Sequence, residues 1–195
     1  AAAAYPEVRA AIDAPDAHGA RVQSTTSRDA AVIPVRNGRA LLTLERRLPG
    51  NKTMYGLLGG KRDANETLAA TAAREAFEKT GHALSDESRR AIEALSDGAF
   101  LWCPGAQMHV AVTAVGPGDD DLPTRFDESL ANRPGLCTQL GLVWRDVTDL
   151  LNFRFRRSHM HSHARAMILQ SIDALKEHAA NHEEPHAGVE DQSAG

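Results

Sequence analysis

Between Gly59 and His82 the chain reads GGKRDANETLAATAAREAFEKTGH, and no other stretch of its 195 residues restricts the fold as tightly. Two glycines lead into a polar loop, and the loop leads into residues whose apolar members recur at helical spacing. At roughly 100° per residue, Leu68, Ala69, Ala72, Ala73, Ala76 and Phe77 share one side of a helix over residues 64–80. Thr71, Arg74, Glu75 and Glu78 share the other, so the acids are expected on the exposed face. Both helix ends are signalled. Asp63, three residues before Glu66, resembles a capping box, and Gly81 suits the left-handed residue that follows a last turn.

The flanking chain supplies strands for this helix to cover. Asn37-Gly38 sits between the apolar runs Ala30–Val35 and Ala40–Leu44, the strongest short signal for a β-hairpin, because both turn residues accept positive φ. Met54–Leu58 reads as a short strand delivering the chain to Gly59 and Gly60. A short surface helix is expected over 85–95, strands over 100–103 and 108–115, and a long loop over 116–136, where Gly, Pro, Asp and Asn dominate. A last strand is expected at Leu142–Trp144, a turn capped by Asp146 after it, and a terminal helix over 164–178. Strands, helix, strands, helix implies an α/β chain with a mixed sheet covered on both faces. We expect one domain over 29–178, a flexible N-terminal extension over 1–28 and a disordered tail over 179–195.

Composition narrows the partners. A formal net charge of -4 gives no global attraction to nucleic acid, so a polyanion must be held by a local cluster of Lys and Arg. Cys103 and Cys137 lack the spacing of a zinc site and read as two buried thiols. The apolar runs fall far short of the roughly 20 residues of a membrane helix. A soluble, cytoplasmic protein is the expectation, and oligomeric state is open.

The glycine loop and helix together resemble the Nudix box. Gly60, Glu66, Arg74, Glu75, Glu78 and Gly81 stand at its spacing, while Lys79 replaces the last glutamate of the motif and His82 also departs from it. The resemblance extends to the hairpin ending in Glu45-Arg46 and to the strand ending in Trp144. It implies an α/β/α sandwich with a central mixed sheet. It also implies a hydrolase, dependent on Mg2+ or Mn2+, of a phosphoanhydride bond in a nucleoside diphosphate linked to another group. On that resemblance Glu75 and Glu78 hold the metal with the carbonyl of Gly60, Arg74 orients them and counts with them as catalytic, and Glu66 is a structural partner. Glutamates three apart on a helix project side by side, and divalent ions held by oxygens can spread charge along phosphates and activate water.

Lys79 exchanges a carboxylate for an ammonium, a change of about two charge units that weakens additional ions next to the site. A carboxylate of the expected loop, Asp119, Asp120, Asp121, Asp127 or Glu128, is a candidate substitute, with Asp127 and Glu128 the ones to test. The alternative is a Nudix-fold module that binds a nucleotide, RNA or a protein without turnover. Were the helix isolated, its acids would be a solvated face, and Glu75 with Lys79 a pair contributing a few tenths of a kcal/mol.

Three further groups carry candidate contacts. Arg46, Arg47 and Arg62, with Lys52 and Lys61, flank the strand leading into the box and are assigned to substrate phosphates; a solvated basic loop fits them equally. Phe153–Arg157 interleaves aromatics with arginines, a pattern that suits RNA but more often anchors a loop. His159, His161 and His163 alternate, and His178, His182 and His186 recur every four residues; incidental surface histidines are expected.

Overall fold

The computed structural model describes residues 29–47, 52–132 and 139–181. The expectations for 1–28, for Cys137 and for His182 and His186 lie outside these residues, as does the expected tail beyond 181; Ala179 and Ala180, placed in that tail, instead close the last helix. Among the described residues seven strands form one mixed sheet: β1 (Ala30–Arg36), β2 (Arg39–Arg47), β3 (Lys52–Gly56), β4 (Leu58–Gly60), β5 (Leu101–Cys103), β6 (Met108–Ala114) and β7 (Gln139–Asp146). The hairpin forms as expected, with Asn37 and Gly38 at φ 49° and 67°.

What positions the site is a fork in this sheet. β1 and β2 pair only beside their turn, at Val35↔Ala40 and Arg36↔Arg39. Beyond it β1 keeps β6 on its far edge, and β2 keeps β7 on its far edge. The expected single strand at 54–58 is therefore two. β3 pairs antiparallel with the free edge of β2, and after Leu57 the chain crosses to pair β4 with β1 through Ala30↔Gly60, Ala31↔Gly59 and Val32↔Leu58. Gly59 and Gly60 thus lie in a strand, which fixes their backbone against β1.

Alternation along the strands sends side chains to two cores. One face gathers Ala31, Ile33, Leu42 and Val110 beneath α4 (Val147–Leu151), α6 (Ser162–Gln170) and α7 (Ile172–Ala180). The other gathers Ala30, Val32, Leu41, Leu58 and Ala111 beneath α1 (Leu68–Lys79), α2 (Asp86–Glu93) and α3 (Leu122–Asn132). Burying each Leu or Ile contributes roughly 2 kcal/mol. This is the expected sandwich.

Four local expectations change. The helix begins at Leu68, not 64, because the Thr67 hydroxyl accepts from the Ala70 N–H and caps it. The 116–136 stretch contains α3, whose Leu122 and Phe126 are fully buried in the second core; their apolar faces decide the segment despite its polar composition. The terminal helix is two, divided at the buried Ser171. Phe153–His159 is itself a helix, α5, and its Arg156 is buried, donating to the Leu150 carbonyl. Cys103 is buried, as expected.

Candidate metal centre

α1 reaches the sheet through alanines. Ala69, Ala72, Ala73 and Ala76 are at most 3% exposed, and side chains this short let a helix approach its neighbours closely. The approach sets the Glu75 carboxyl directly against the Cα of Gly60. A Cβ at that position would overlap the carboxyl carbon and both oxygens, so the contact requires glycine.

Arg74 organises the acids around that contact. Its Nε and Nη2 donate to Glu66 Oε1 and Oε2 at 2.8 and 3.1 Å, a two-pronged pair, and Nη2 also donates to the Lys61 carbonyl at 2.7 Å. Its Nη1 donates to Glu75 Oε1 at 3.1 Å and reaches Glu78 Oε2 at 3.4 Å. Because one nitrogen serves both glutamates, their carboxylates converge.

The acids differ in what compensates them. Glu66 accepts from Arg74, from the Asp63 N–H and from the Thr71 hydroxyl, each of the last two at 3.0 Å. Hydrogen bonding from Arg74 holds its carboxyl far below the usual range, at about 2. Thr71 is consequently buried, not exposed with the acids, and Glu66 lies in the turn before the helix. Glu75, with 13% of its side chain exposed, receives less: burial raises its pKa against the opposing Arg74 hydrogen bond. Glu78 has half its side chain exposed.

A buried carboxylate that its neighbours under-compensate favours gaining a cation, and carboxylate oxygens suit Mg2+ or Mn2+. The residues present therefore fit one such ion between Glu75 and Glu78, beside the Gly60 backbone. Among the described residues no three His, Cys, Asp or Glu side chains gather as a metal cage, so an ion here would complete its shell with backbone and solvent oxygens. Lys79 is half-buried one turn beyond Glu75, and its charge acts on that carboxyl.

The remaining expectations are scattered around this centre. Arg62 is half-buried just past Gly60, and its charge acts on His109. Arg46 is exposed near the end of β2, opposite Thr53, and the Arg47 side chain lies outside what is described. Lys52 Nζ donates to the Ser158 carbonyl at 3.3 Å. Asp127 and Glu128 stand on α3 rather than a loop; Glu128 lines a groove of about 570 Å³ with Phe77, Gly81 and His82 at the far end of α1, and neither Glu75 nor Glu78 lines it. In Phe153–Arg157, Phe153 and Arg154 are exposed, while Phe155 stacks on Tyr55 with centroids 5.6 Å apart. His161 is not incidental: its Nδ1 accepts from the Ala164 N–H, capping α6, and its Nε2 lies 3.8 Å from Glu45.

Sequence reasoning missed Glu45, a strand carboxylate only 9% exposed that accepts from the Thr43 hydroxyl at 3.0 Å. The two-residue period from Leu41 through Thr43 to Glu45 was the signal that it faces inward. It also missed the half-buried pair Trp102 and His109, whose rings lie 5.0 Å apart.

A family model described as NUDIX domain matches residues 26–154, more than half of the chain. No curated protein matches the sequence. Among solved structures, a possible asymmetric diadenosine tetraphosphate hydrolase from Jonesia denitrificans is 18% identical with a TM-score of 0.47, covering 80% of this chain and 96% of that one. A NUDIX hydrolase from Nitrosomonas europaea is 14% identical with a TM-score of 0.44, covering 75% and 88%. A bifunctional NMN adenylyltransferase/ADP ribose pyrophosphatase from Francisella tularensis, complexed with AMP and a Mn ion, is 14% identical with a TM-score of 0.44 and covers 75% of this chain. This chain spans 41% of that protein's length.

Proposed function

The chain belongs to the Nudix family, and from that premise we propose that it hydrolyses the phosphoanhydride bond of a nucleoside diphosphate linked to another group, with Mg2+ or Mn2+ as cofactor. The observation that carries this reading is the convergence of Glu75 and Glu78 on a single Arg74 nitrogen, with the Glu75 carboxyl resting on Gly60. Glu75 and Glu78 are the metal ligands in this proposal, with the Gly60 backbone beside them. When bound, the ion supplies positive charge to the phosphate oxygens and lowers the pKa of water.

The protein's own groups do the positioning. Arg74 cannot be deprotonated at working pH, so its fork holds Glu66 in place and keeps Nη1 aimed at Glu75 and Glu78. Glu66 takes no part in the reaction; its hydrogen bonds leave it no capacity for a ligand. Gly60 leaves space that any larger residue would fill with its own Cβ. Arg62, two residues past that glycine, is assigned to the substrate phosphates beside it, and Arg46 and Arg47 to more distant ones.

Lys79 favours a second reading, in which the domain binds a nucleotide, RNA or a protein partner and turns over slowly or not at all. Its ammonium already supplies part of the positive charge that Glu75 would otherwise draw from a metal. Phosphate release from a panel of nucleoside diphosphate derivatives, with and without Mg2+, separates the two. Turnover that needs the metal and is abolished by Glu75→Gln or Glu78→Gln supports the hydrolase. A large gain from Lys79→Glu identifies an attenuated enzyme, and absence of turnover with retained nucleotide binding leaves the binding module.

A further inference from the structure

The edge of the sheet beside Glu75 continues past Gly60 in a single row. Gly60 is the partner of Ala30, Ala30 of His109, and His109 of Trp102, on β4, β1, β6 and β5 respectively. Residues directly opposite one another in adjacent strands project to the same face. Ala30 belongs to the core under α1, so Gly60, His109 and Trp102 all present that face. The Glu75 carboxyl occupies it at Gly60. Three strand spacings of roughly 4.8 Å place the Trp102 backbone about 14 Å from that of Gly60. A diphosphate and a ribose are of a length to bridge that gap.

The far end of the row has the chemistry of a ring-binding surface. Trp102 is half-buried, so its indole is held by the fold and still open in part. The His109 ring lies 5.0 Å away, tilted by 54°, and braces it. Burial lowers the His109 pKa against a backbone contact with Asp29 that raises it, and the Arg62 charge acts in the same direction as burial, which favours the uncharged ring. Its Nδ1 is buried without a hydrogen-bond partner. Arg62, on the loop leaving Gly60, acts on the His109 ring and carries a charge suited to phosphate.

We propose that Trp102 and His109 form a platform on which the base of the nucleotide stacks, with Arg62 holding the phosphates between that platform and Glu75. The assignment rests on the reading of Glu75 and Glu78 as the diphosphate end of the site, and it names the base as the group that sets specificity. Stacking on an indole tolerates many bases, so the platform favours nucleotides over diphosphates that lack a base, without strong choice among them.

The test uses the whole chain with Trp144→Phe, which leaves Trp102 as its one tryptophan. Titration with ADP and Mg2+ is expected to quench Trp102 emission saturably, and inorganic pyrophosphate with Mg2+ to bind without quenching. In calorimetry, Trp102→Ala is expected to weaken ADP about tenfold or more and leave pyrophosphate unchanged, with Trp102→Phe restoring most of the loss. ADP that binds without altering Trp102 emission, or equally well to Trp102→Ala, overturns the platform. Pyrophosphate binding as tightly as ADP overturns it also, while the diphosphate end stands. Failure of both ligands to bind the unmodified chain removes the two readings together.

Discussion

Two arginine–carboxylate clusters stand on the helical face of this molecule, and they differ in whether their acids are satisfied. Around Asp119, which is fully buried, every oxygen is engaged: Oδ1 accepts from the Ser85 N–H at 3.0 Å and from Arg125 Nη2 at 2.8 Å, and Oδ2 accepts from the Ser85 hydroxyl at 2.8 Å. That cluster ties the start of α2 to the segment before α3 and has no capacity for a ligand. Around Arg74 the Glu66 carboxylate is satisfied in the same way, yet Glu75 Oε2 and Glu78 Oε1 accept no hydrogen bond among the described residues. The same residue types make a structural joint in one place and a half-open site in the other. The difference comes from Gly60: it brings a carboxylate against bare backbone, where no donor is aimed at its second oxygen.

The comparison predicts opposite outcomes for removing an acid. The largest effect is expected from Glu75→Gln, which should lower metal-dependent turnover by about a hundredfold or more, the equivalent of the several kcal/mol a metal contributes to a charged transition state. Its unfolding free energy in urea should stay within about 1 kcal/mol of the parent, and the rise in Tm that Mg2+ gives the parent should vanish. Unchanged metal stabilisation in Glu75→Gln would place the ion elsewhere. Asp119→Ala should do the reverse, costing about 3 kcal/mol of stability by removing the acceptor of the Ser85 N–H and hydroxyl and one partner of Arg125, which keeps Asp121 and the Gly118 carbonyl, with the kcat of the folded fraction preserved.

Glu66 lies between these extremes, and Glu66→Gln should cost about 2 kcal/mol through the charged hydrogen bonds to Arg74. Its contribution depends on pH in a defined direction. The folded-state pKa of about 2 lies below the ordinary value of 4.5, so the stabilisation is complete above about pH 4.5 and is lost as the pH falls towards 2. Chemical denaturation of parent and Glu66→Gln across pH 2–6 should show two curves that converge at the acid end; parallel curves would remove Glu66 from the acid response. The smallest effect is expected from Lys79→Glu on folding. Loss of one pair at a four-residue spacing changes stability by a few tenths of a kcal/mol, while Mg2+ affinity, read by calorimetry, should rise because a positive charge beside Glu75 has gone.

Much of this was legible because local chemistry agreed with the fold. Asn37-Gly38 marked a tight turn between its apolar flanks, and the alanines of α1 with Leu68 and Phe77 marked the apolar side of a helix. The spacing of Glu75 and Glu78 placed those two side chains next to each other, while the parts given to Arg74 and Glu66 came from the resemblance. What stayed illegible depended on partners distant in sequence. Thr71 read as exposed because its angle on the helix matched the acids, and only the position of Glu66 in the preceding turn buries it. The segment containing α3 read as a loop because Pro, Asp and Asn outweigh Leu122 and Phe126 in composition, although those two residues decide its packing. His161 and Trp102 carried no local signal, since their neighbours are Glu45 and His109 on other strands.

By itself the sequence put Glu75 and Glu78 side by side, because α-helical geometry is determined over a few residues and needs no information from elsewhere in the chain. The tertiary structure alone decided which of those acids is open to a ligand. That depends on how closely α1 lies over β4, on where the fork in the sheet places Gly60, and on which donors reach each oxygen. Such distances arise from contacts between residues far apart along the chain, and no local spacing encodes them.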